Sequence, residues 1–399
     1  MSYLSNFQVN RDELKFDIHH LNCSLVNAIR RIIISDVPTL GFRTENGKES
    51  DIIIEKNTSF IHNEFLAHRL SLLPIHYDHK KLDSFDKKRF EFFIDITNNT
   101  TKPLDVTSEH IQIRDLSKEP PVILSKSETS KFFKPNPITK DYVLINRLQS
   151  SKTGLSGDGE VLKLKMYADV STGKEHARYT PSCVSVFNNK RDLDKIKIAL
   201  EEKIKEKNVQ LEKDKKSHLT DEEKSALIRS FMVCDADFHY HTDEKGEPNV
   251  FEFTLESDGR IESHIILDKS LFILENKLNS FVKRMNLGET ITFKKSDVIM
   301  FSYDMIIEDE DYTLGYLLQH YLYKMYKDVE EGDKKINYVA SNVPHPLENK
   351  LVLRVGLVDN NLKEDYIKKL VSSAVDEIKK VITKLKDELK NCDKFVLDR

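Results

Sequence analysis

The chain has no long apolar run. Its apolar runs, such as Ile32–Ile34 and Ile52–Ile54, fall far short of the roughly 18 residues needed to span a bilayer, so no membrane partner is expected. Cysteines are few, and Cys23, Cys183, Cys234 and Cys392 are scattered without a CxxC pair. That argues against a zinc ribbon or an iron–sulfur ligand set and fits ordinary thiols in a reducing compartment. The opening "MSYLSNFQVNRDE" lacks a basic stretch followed by an apolar one, so a secretory signal is not expected. An excess of one charge is missing too. With 62 Lys and Arg against 66 Asp and Glu, the formal net charge is −4, which provides no global attraction to nucleic acid or anionic lipid. Any basic contact must be local.

What remains is a chain of 399 residues, 39% apolar and 32% charged, the composition of a globular protein of two to four domains rich in solvated helix surface. Residues 1–20 read as a strand ("FQVNRDELKFDI") leading to Asn22 as an N-cap. In the helix that follows, Leu25, Ala28, Ile29, Ile32 and Val37 recur at three- and four-residue intervals, while Asn27, Arg30, Arg31 and Ser35 fall elsewhere around it. Pro38 ends it. "DIIIEKNTS" is a strand and turn, and "FIHNEFLAHRLSLLPI" a short helix with Phe65, Leu66, Leu70 and Leu73 expected to face inward.

From Arg89 to about Val170 the period becomes two. "RFEFFIDIT", "DYVLINRL" and "EVLKLKMYADV" describe an antiparallel β domain. "KTGLSGDGE" reads as a flexible hairpin loop, since a phosphate cradle would need a helix after it. Residues 190–229 are charged and helix-prone, an exposed helical insertion with a mobile middle. "DFHYH" and "NVFEFTLESDG" read as strands, and Ser263–Lys283 as a helix with Leu267, Leu271, Leu274, Leu278 and Phe281 on one stripe. The last element, from near Asp359 to about Asn391, keeps Leu362, Tyr366, Ile367, Leu370, Val371, Ala374, Val375, Ile378, Val381, Ile382, Leu385 and Leu389 at the helical interval. It must pack on something long.

"NCSLVNAIRRIII" and "DYTLGYLLQHYLY" are alike in form. Each is a polar cap and a short apolar helix, preceded by a strand and answered later by an amphipathic helix. A duplicated strand–helix–strand–helix unit whose copies cannot hide their own stripes predicts an intramolecular pseudo-dimer.

"NAIRRIIISDVPTLGF", "IEKNTSFIHNEFLAHRLSLLPI", "TGKEHARYTPSCVSVF" and "FTLESDGRI" resemble, in order, the hallmark segments of the RNA polymerase α-like family, which includes bacterial α, the archaeal D polypeptide and the third-largest subunit of polymerase II. Residues 300–399, with "EDEDYTLGYLLQHYL" and "VPHPLENKLVLRV", resemble the usual partner of those proteins, archaeal L or the eleventh polymerase II subunit. The resemblance implies an α+β fold with a D-like domain (1–50 and 171–288, carrying the insertion 190–229), an inserted β-rich domain (51–170) and an L-like domain (289–399). A linker of about a dozen residues, Arg284–Ser296, reaching at most ~45 Å, would make pairing intramolecular at an effective concentration of order millimolar. Similar fusions occur in large cytoplasmic DNA viruses, so the resemblance suggests a viral polymerase; a viral chain would work in the cytoplasmic viral factory and be packaged in the virion, and any other would act wherever its polymerase does.

The implied role is a non-catalytic platform on which two large catalytic subunits and small accessory subunits assemble, touching DNA only through the complex and needing no homodimer. By resemblance, Arg30, Arg31, Lys174, Glu175, His176 and Arg178 face the other subunits, with Arg31 favoured because in the family the second arginine of that pair approaches the second-largest catalytic subunit, a role that a planar guanidinium suits. Pairing of the halves would fall to Leu25, Ala28, Ile29, Ile32, Leu271, Leu274, Leu278, Leu314, Leu317, Leu318, Leu370, Ala374 and Ile378. The chain departs from the family where a four-cysteine zinc loop is usual, having "HYDHKKLDSFDKKRF" instead, and Tyr312 and Tyr316 replace His and Asn in the L-like helix. No metal, cofactor or catalytic residue is expected. Cys234, His239 and His241 lack a fourth ligand, and Asp235 and Asp237 lack the further carboxylate of a magnesium site. The rival reading is a nucleic-acid-binding accessory protein using Lys-rich 190–216 with Lys87, Lys88 and Arg89, although aromatic interleaving is absent.

Overall fold

The computed structural model describes residues 2–44, 50–150, 159–213, 218–296, 299, 301–330, 334–359 and 364–392. The loop 152–158, the middle of the charged insertion (214–217) and Leu362 lie outside them. The fold is α+β. β1 (Leu4–Asn10) and β2 (Glu13–His19) form a hairpin where one strand was expected. Arg11, at φ 53°, takes the left-handed conformation that reverses the chain. α1 (Cys23–Ser35) starts where Asn22 Oδ1 accepts the Ser24 N–H at 2.8 Å, satisfying one orphan donor of the first turn.

Next come β3 (Thr39–Gly41), β4 (Ile52–Asn57), α2 (Asn63–Ser71), β5 (Phe90–Thr97), β6 (Leu104–Thr107), β7 (Gln112–Asp115) and β8 (Val122–Ile123). They are followed by α3 (Lys126–Thr129), β9 (Leu144–Leu148), β10 (Val161–Met166) and β11 (Asp169–Ser171). The chain then forms β12 (Ser182–Asn189), α4 (Leu193–Lys213), α5 (Asp221–Cys234), β13 (Val250–Ser257) and α6 (Ser263–Leu287). It closes with β14 (Ile291–Lys295), β15 (Ser302–Glu308), α7 (Tyr312–Tyr326), β16 (Ile336–Asn342), β17 (Lys350–Leu357) and α8 (Glu364–Lys390). "DFHYH" is not a strand; a 3₁₀ turn, Ala236–Phe238, and an isolated bridge from Tyr240 to Arg191 take its place.

The residues group into two compact units, Met1–Ile32 with Val184–Glu256 and Leu267–Arg399, and Ile33–Cys183 with Ser257–Ile266. The first contains two four-stranded sheets with the same strand order, β1-β2-β13-β12 and β14-β15-β17-β16. In both, a hairpin, a helix, two further strands and a long helix follow one another, so the duplicated unit is a hairpin richer than its sequence suggested. Alternation sets each inner face. Leu14, Phe16 and Ile18 of β2 are buried with Phe251, Phe253 and Leu255 of β13, while Leu351, Leu353 and Val355 of β17 do the same in the second sheet. α8 buries nine residues from Ile367 to Leu389. Tyr366 and Val381, expected on that stripe, are only half-buried at its margin.

The expected linker is much shorter in the structure. α6 runs on to Leu287 and β14 begins at Ile291, so only Gly288, Glu289 and Thr290 join the halves. Gly288 (φ 71°) and Thr290 (φ 58°) are both left-handed, which lets so short a segment turn from helix to strand. The insertion folds as α4 and α5 over a small cluster of Ile196, Phe231 and Ala236.

The second unit is built on an antiparallel sheet, β4-β10-β5-β7-β8, with the small ladders β11-β3 and β6-β9. Where relatives of the resembled family carry a zinc loop, this chain makes a 3₁₀ turn, His79–Ser84, flanked by an aromatic cluster. Tyr77 and Phe85 rings meet edge to face at 5.2 Å, and Phe132 meets Phe90 at 5.6 Å and Phe92 at 5.7 Å. Leu66 and Leu70 of α2 and the following Leu73 are buried as expected. Phe65 is not, being 71% exposed. In a helix of nine residues the i, i+4 pair Leu66 and Leu70 defines the buried face, and Phe65 lies about 100° from the first and about 140° from the second.

Candidate functional site

Two groups of candidate residues are built by different parts of the chain. The first is the seam, within the first unit, between residues up to 288 and residues from 289 onward. All thirteen apolar residues expected there, from Leu25 on α1 through Leu271, Leu274 and Leu278 on α6 to Ile378 on α8, are at most 5% exposed. α7 starts with Asp311 as N-cap, its carboxylate accepting the Thr313 N–H at 2.8 Å. Arg31 of α1 donates to that same Asp311 (Nη2 to Oδ2, 2.9 Å) and to Thr313 Oγ1 (2.7 Å). Next to it Glu310, 7% exposed, receives Arg284 Nη2 at 2.6 Å and Lys277 Nζ at 3.2 Å from α6. Burial pushes the Glu310 carboxyl up, against the pull of Lys277 and Arg284. Removing either cation would leave a buried charge short of a partner, at a cost of several kcal/mol.

The far end of the seam is also polar. Glu388 of α8 accepts the backbone N–H groups of Tyr3 and Leu4, each at 2.8 Å, and Lys386 pairs with Glu275 beneath the Phe272 ring. Lys245 pairs with Asp328. The two substituted tyrosines stack on each other at 5.1 Å, and Tyr312 Oη accepts the Val343 N–H at 3.2 Å. Gly315 is needed on α7, since a Cβ there would stand 2.7 Å from Leu351 Cδ1.

The second group, Lys174, Glu175, His176 and Arg178, lies in the second unit. The chain from Thr172 to Thr180 crosses the last turn of α1 and satisfies carbonyls that a helix end leaves orphaned. Lys174 N–H donates to Ser35 O at 2.8 Å, and Thr180 Oγ1 donates to Ile34 O at 3.1 Å. Only glycine fits at position 173, where a Cβ would stand 2.1 Å from Ile34 O. Glu175 accepts a two-pronged contact from Arg43 at 2.6 and 3.0 Å, which raises the guanidinium's pKa. Arg178 donates to Phe42 O at 2.7 Å, and His176 Nδ1 accepts the Arg178 N–H at 3.1 Å. Behind them Tyr179 is wholly buried, and burial pushes its hydroxyl up to about 12. Its ring would stand 2.8 Å from a Cβ at Gly41.

Arg30 stays on its own helix, donating to Asn27 Oδ1 at 2.9 Å. The sequence pattern did not point to Arg43 or Arg260; the latter donates to Thr180 O at 2.6 Å and Asp258 at 2.5 Å. Isolated arginines in a loop carry no periodic signal, and although Arg260 falls within "FTLESDGRI", that motif gave it no role. Equally unmarked was an apolar surface in the same unit, with Phe60, Phe65 and Leu72 more than half exposed. Several basic residues of the rival reading are engaged. Lys87 donates to Asp51 at 2.5 Å, Arg89 pairs with Asp115 and covers the Phe90 ring, and Lys203 pairs with Asp235. Among the described residues no group of three His, Cys, Asp or Glu could hold a metal ion.

The doubled hairpin–helix–strand–strand–helix unit, with a helix seam between its copies, defines a dimerisation domain present twice. The chain belongs to the RNA polymerase Rpb3/Rpb11 dimerisation domain family, whose profiles match residues 15–278 and again 302–390. Its relatives include "DNA-directed RNA polymerases IV and V subunit 3B" of Arabidopsis thaliana, 26% identical over 316 residues that cover 68% of this chain and 88% of the plant protein. "DNA-directed RNA polymerase subunit Rpo3" of Pyrobaculum arsenaticum is 24% identical over 283 residues, 69% of this chain and 95% of the archaeal one. "DNA-directed RNA polymerase II subunit rpb3" of Dictyostelium discoideum is 27% identical over 197 residues, 46% and 56% of the two chains.

Proposed function

We propose that this chain is the non-catalytic assembly subunit of a multisubunit DNA-directed RNA polymerase, carrying a D-like and an L-like half in one polypeptide. The two halves pair through the seam, and the two large catalytic subunits and small accessory subunits are built on the pair. Arg30 and Arg31 contribute to docking from the first unit, and Lys174, Glu175, His176 and Arg178 from the second, where the exposed Phe60 and Phe65 join them. The polymerase is that of a large cytoplasmic DNA virus, so the chain acts in the cytoplasm and is carried in the virion. DNA is met only through the assembled complex.

The observation that carries this reading is the family match to both copies of one dimerisation unit. It is supported by the ion pairs that tie residues up to 288 to residues beyond 289. A platform of this kind performs no chemistry. Its contribution is to hold large partners in a fixed register, for which a buried, geometrically exacting seam is suited.

Affinity purification of the tagged full-length chain from cells making its polymerase tests the proposal. The large catalytic subunits and nucleotidyl-transfer activity are expected to co-purify, and their absence would overturn it. Arg30→Ala is expected to reduce recovery of a large subunit with the thermal midpoint unchanged. Arg31→Ala should reduce recovery and also lower the midpoint, because Arg31 anchors Asp311.

A further inference from the structure

The second unit holds an open cavity of about 720 Å³ that the proposed assembly role does not use. Six cations line it: Lys81, Arg89, Lys118, Lys131, Lys134 and Arg260. Three carboxylates, Asp78, Asp115 and Glu128, oppose them, leaving an excess of three positive charges. Each carboxylate is already occupied locally. Asp78 accepts the Lys80 N–H at 3.0 Å, Asp115 accepts the Ser117 N–H at 3.0 Å and its hydroxyl at 2.6 Å, and Glu128 accepts the Ser125 N–H at 2.9 Å and its hydroxyl at 2.8 Å.

The cations divide into two sets. Lys81 sits beside Asp78, Arg89 holds Asp115 and Arg260 holds Asp258. Lys118, Lys131 and Lys134 are exposed and have no ion pair among the described residues. Below them the floor is apolar, made by Phe90, Leu124 and Phe132. His76 stays neutral at pH 7, since burial, then Lys134 and Arg260, press its pKa down to about 4.

We propose that this cleft docks an acidic protein segment bearing an aliphatic side chain between its carboxylates. Three unpaired lysines around an apolar floor suit discrete carboxylates flanking one anchoring residue. A cavity of this size admits a few side chains. Single-stranded nucleic acid fits less well, because it needs free ring faces for its bases. The lining rings are engaged with neighbours: Arg89 lies over Phe90 at 4.7 Å, Phe85 stacks on it at 6.1 Å and Phe132 meets it edge to face, while Tyr77 packs against Phe85 at 5.2 Å and Phe132 at 5.9 Å. The cleft would let this unit recruit a regulatory or accessory partner independently of the seam.

Fluorescence anisotropy on the full-length chain tests this with three fluorescein-labelled probes: a twelve-residue Asp/Glu peptide with a central Leu-Leu pair, its Asn/Gln counterpart, and a twelve-nucleotide oligothymidylate. Saturable binding of the acidic peptide is expected, with the Asn/Gln peptide far weaker. The double variant Lys118→Glu, Lys131→Glu should weaken the acidic peptide at least about tenfold with an unchanged thermal midpoint, since both side chains are exposed. Lack of saturation, equal binding of the Asn/Gln peptide, indifference to the double variant, or tighter oligothymidylate binding abolished by the same variant would each overturn the proposal.

Discussion

Two half-buried histidines make individual residues responsive to mild acid. His320 on α7 is pressed down to about 4 by burial and then by Lys324, and His76 to about 4 by burial, Lys134 and Arg260. In the unfolded chain each titrates near 6.5. Between pH 6.5 and 4 the unfolded state therefore binds protons that the folded state refuses, and stability falls as pH falls through that window. Above about pH 7 both states are neutral at these sites, and the effect vanishes. A thermal midpoint lower at pH 5 than at pH 7.5 is expected, and His320→Gln should flatten the slope for the first unit. An unchanged slope would show that His320 is protonated without penalty in the fold.

The elements carry the larger energies. α8 presents its stripe over 27 residues, with Ile378 wholly buried and Val381 half-buried. Ile378→Ala is expected to cost about 2–5 kcal/mol, the range for deleting buried aliphatic groups together with the cavity they leave. Val381→Ala should cost under about 1 kcal/mol. Urea unfolding midpoints measure both, and equal losses would contradict the assigned face. This helix was readable in the sequence because its apolar interval of three and four persists for seven turns. The hairpin β1–β2 was not, since only the short polar stretch Asn10–Glu13 marks its turn, where the alternation changes phase from Phe7 and Val9 to Leu14, Phe16 and Ile18, and Arg11 is no usual turn residue. Phe65 misled for a related reason: a nine-residue helix with two adjacent apolar residues leaves the period undecided. The burial of the expected seam residues followed from periodicity, whereas Glu310, Lys277 and Arg284 gave no periodic sign, because a buried ion pair is written in two distant segments.

For the whole molecule, the three-residue join at Gly288–Thr290 sets what carrying both copies in one chain contributes. Replacing those residues with a protease site and cutting it is expected to leave the two halves co-eluting, because the seam, and not the covalent bond, holds them. Dilution should then separate them at a concentration the uncut chain ignores, since cutting removes the effective-concentration advantage. Immediate separation on cutting would mean that the seam is weak by itself.

The interleaved sheet of the first unit also dictates a timetable. β2 pairs on one side with β1, its immediate neighbour, and on the other with β13, where His19 opposes Val250. A ribosome adding about 5–20 residues per second would leave the free side of β2 waiting on the order of ten seconds or more. An exposed strand edge during that interval invites pairing with other nascent chains. Production of this protein is thus sensitive to how well its earliest hairpin is shielded before its late companion emerges.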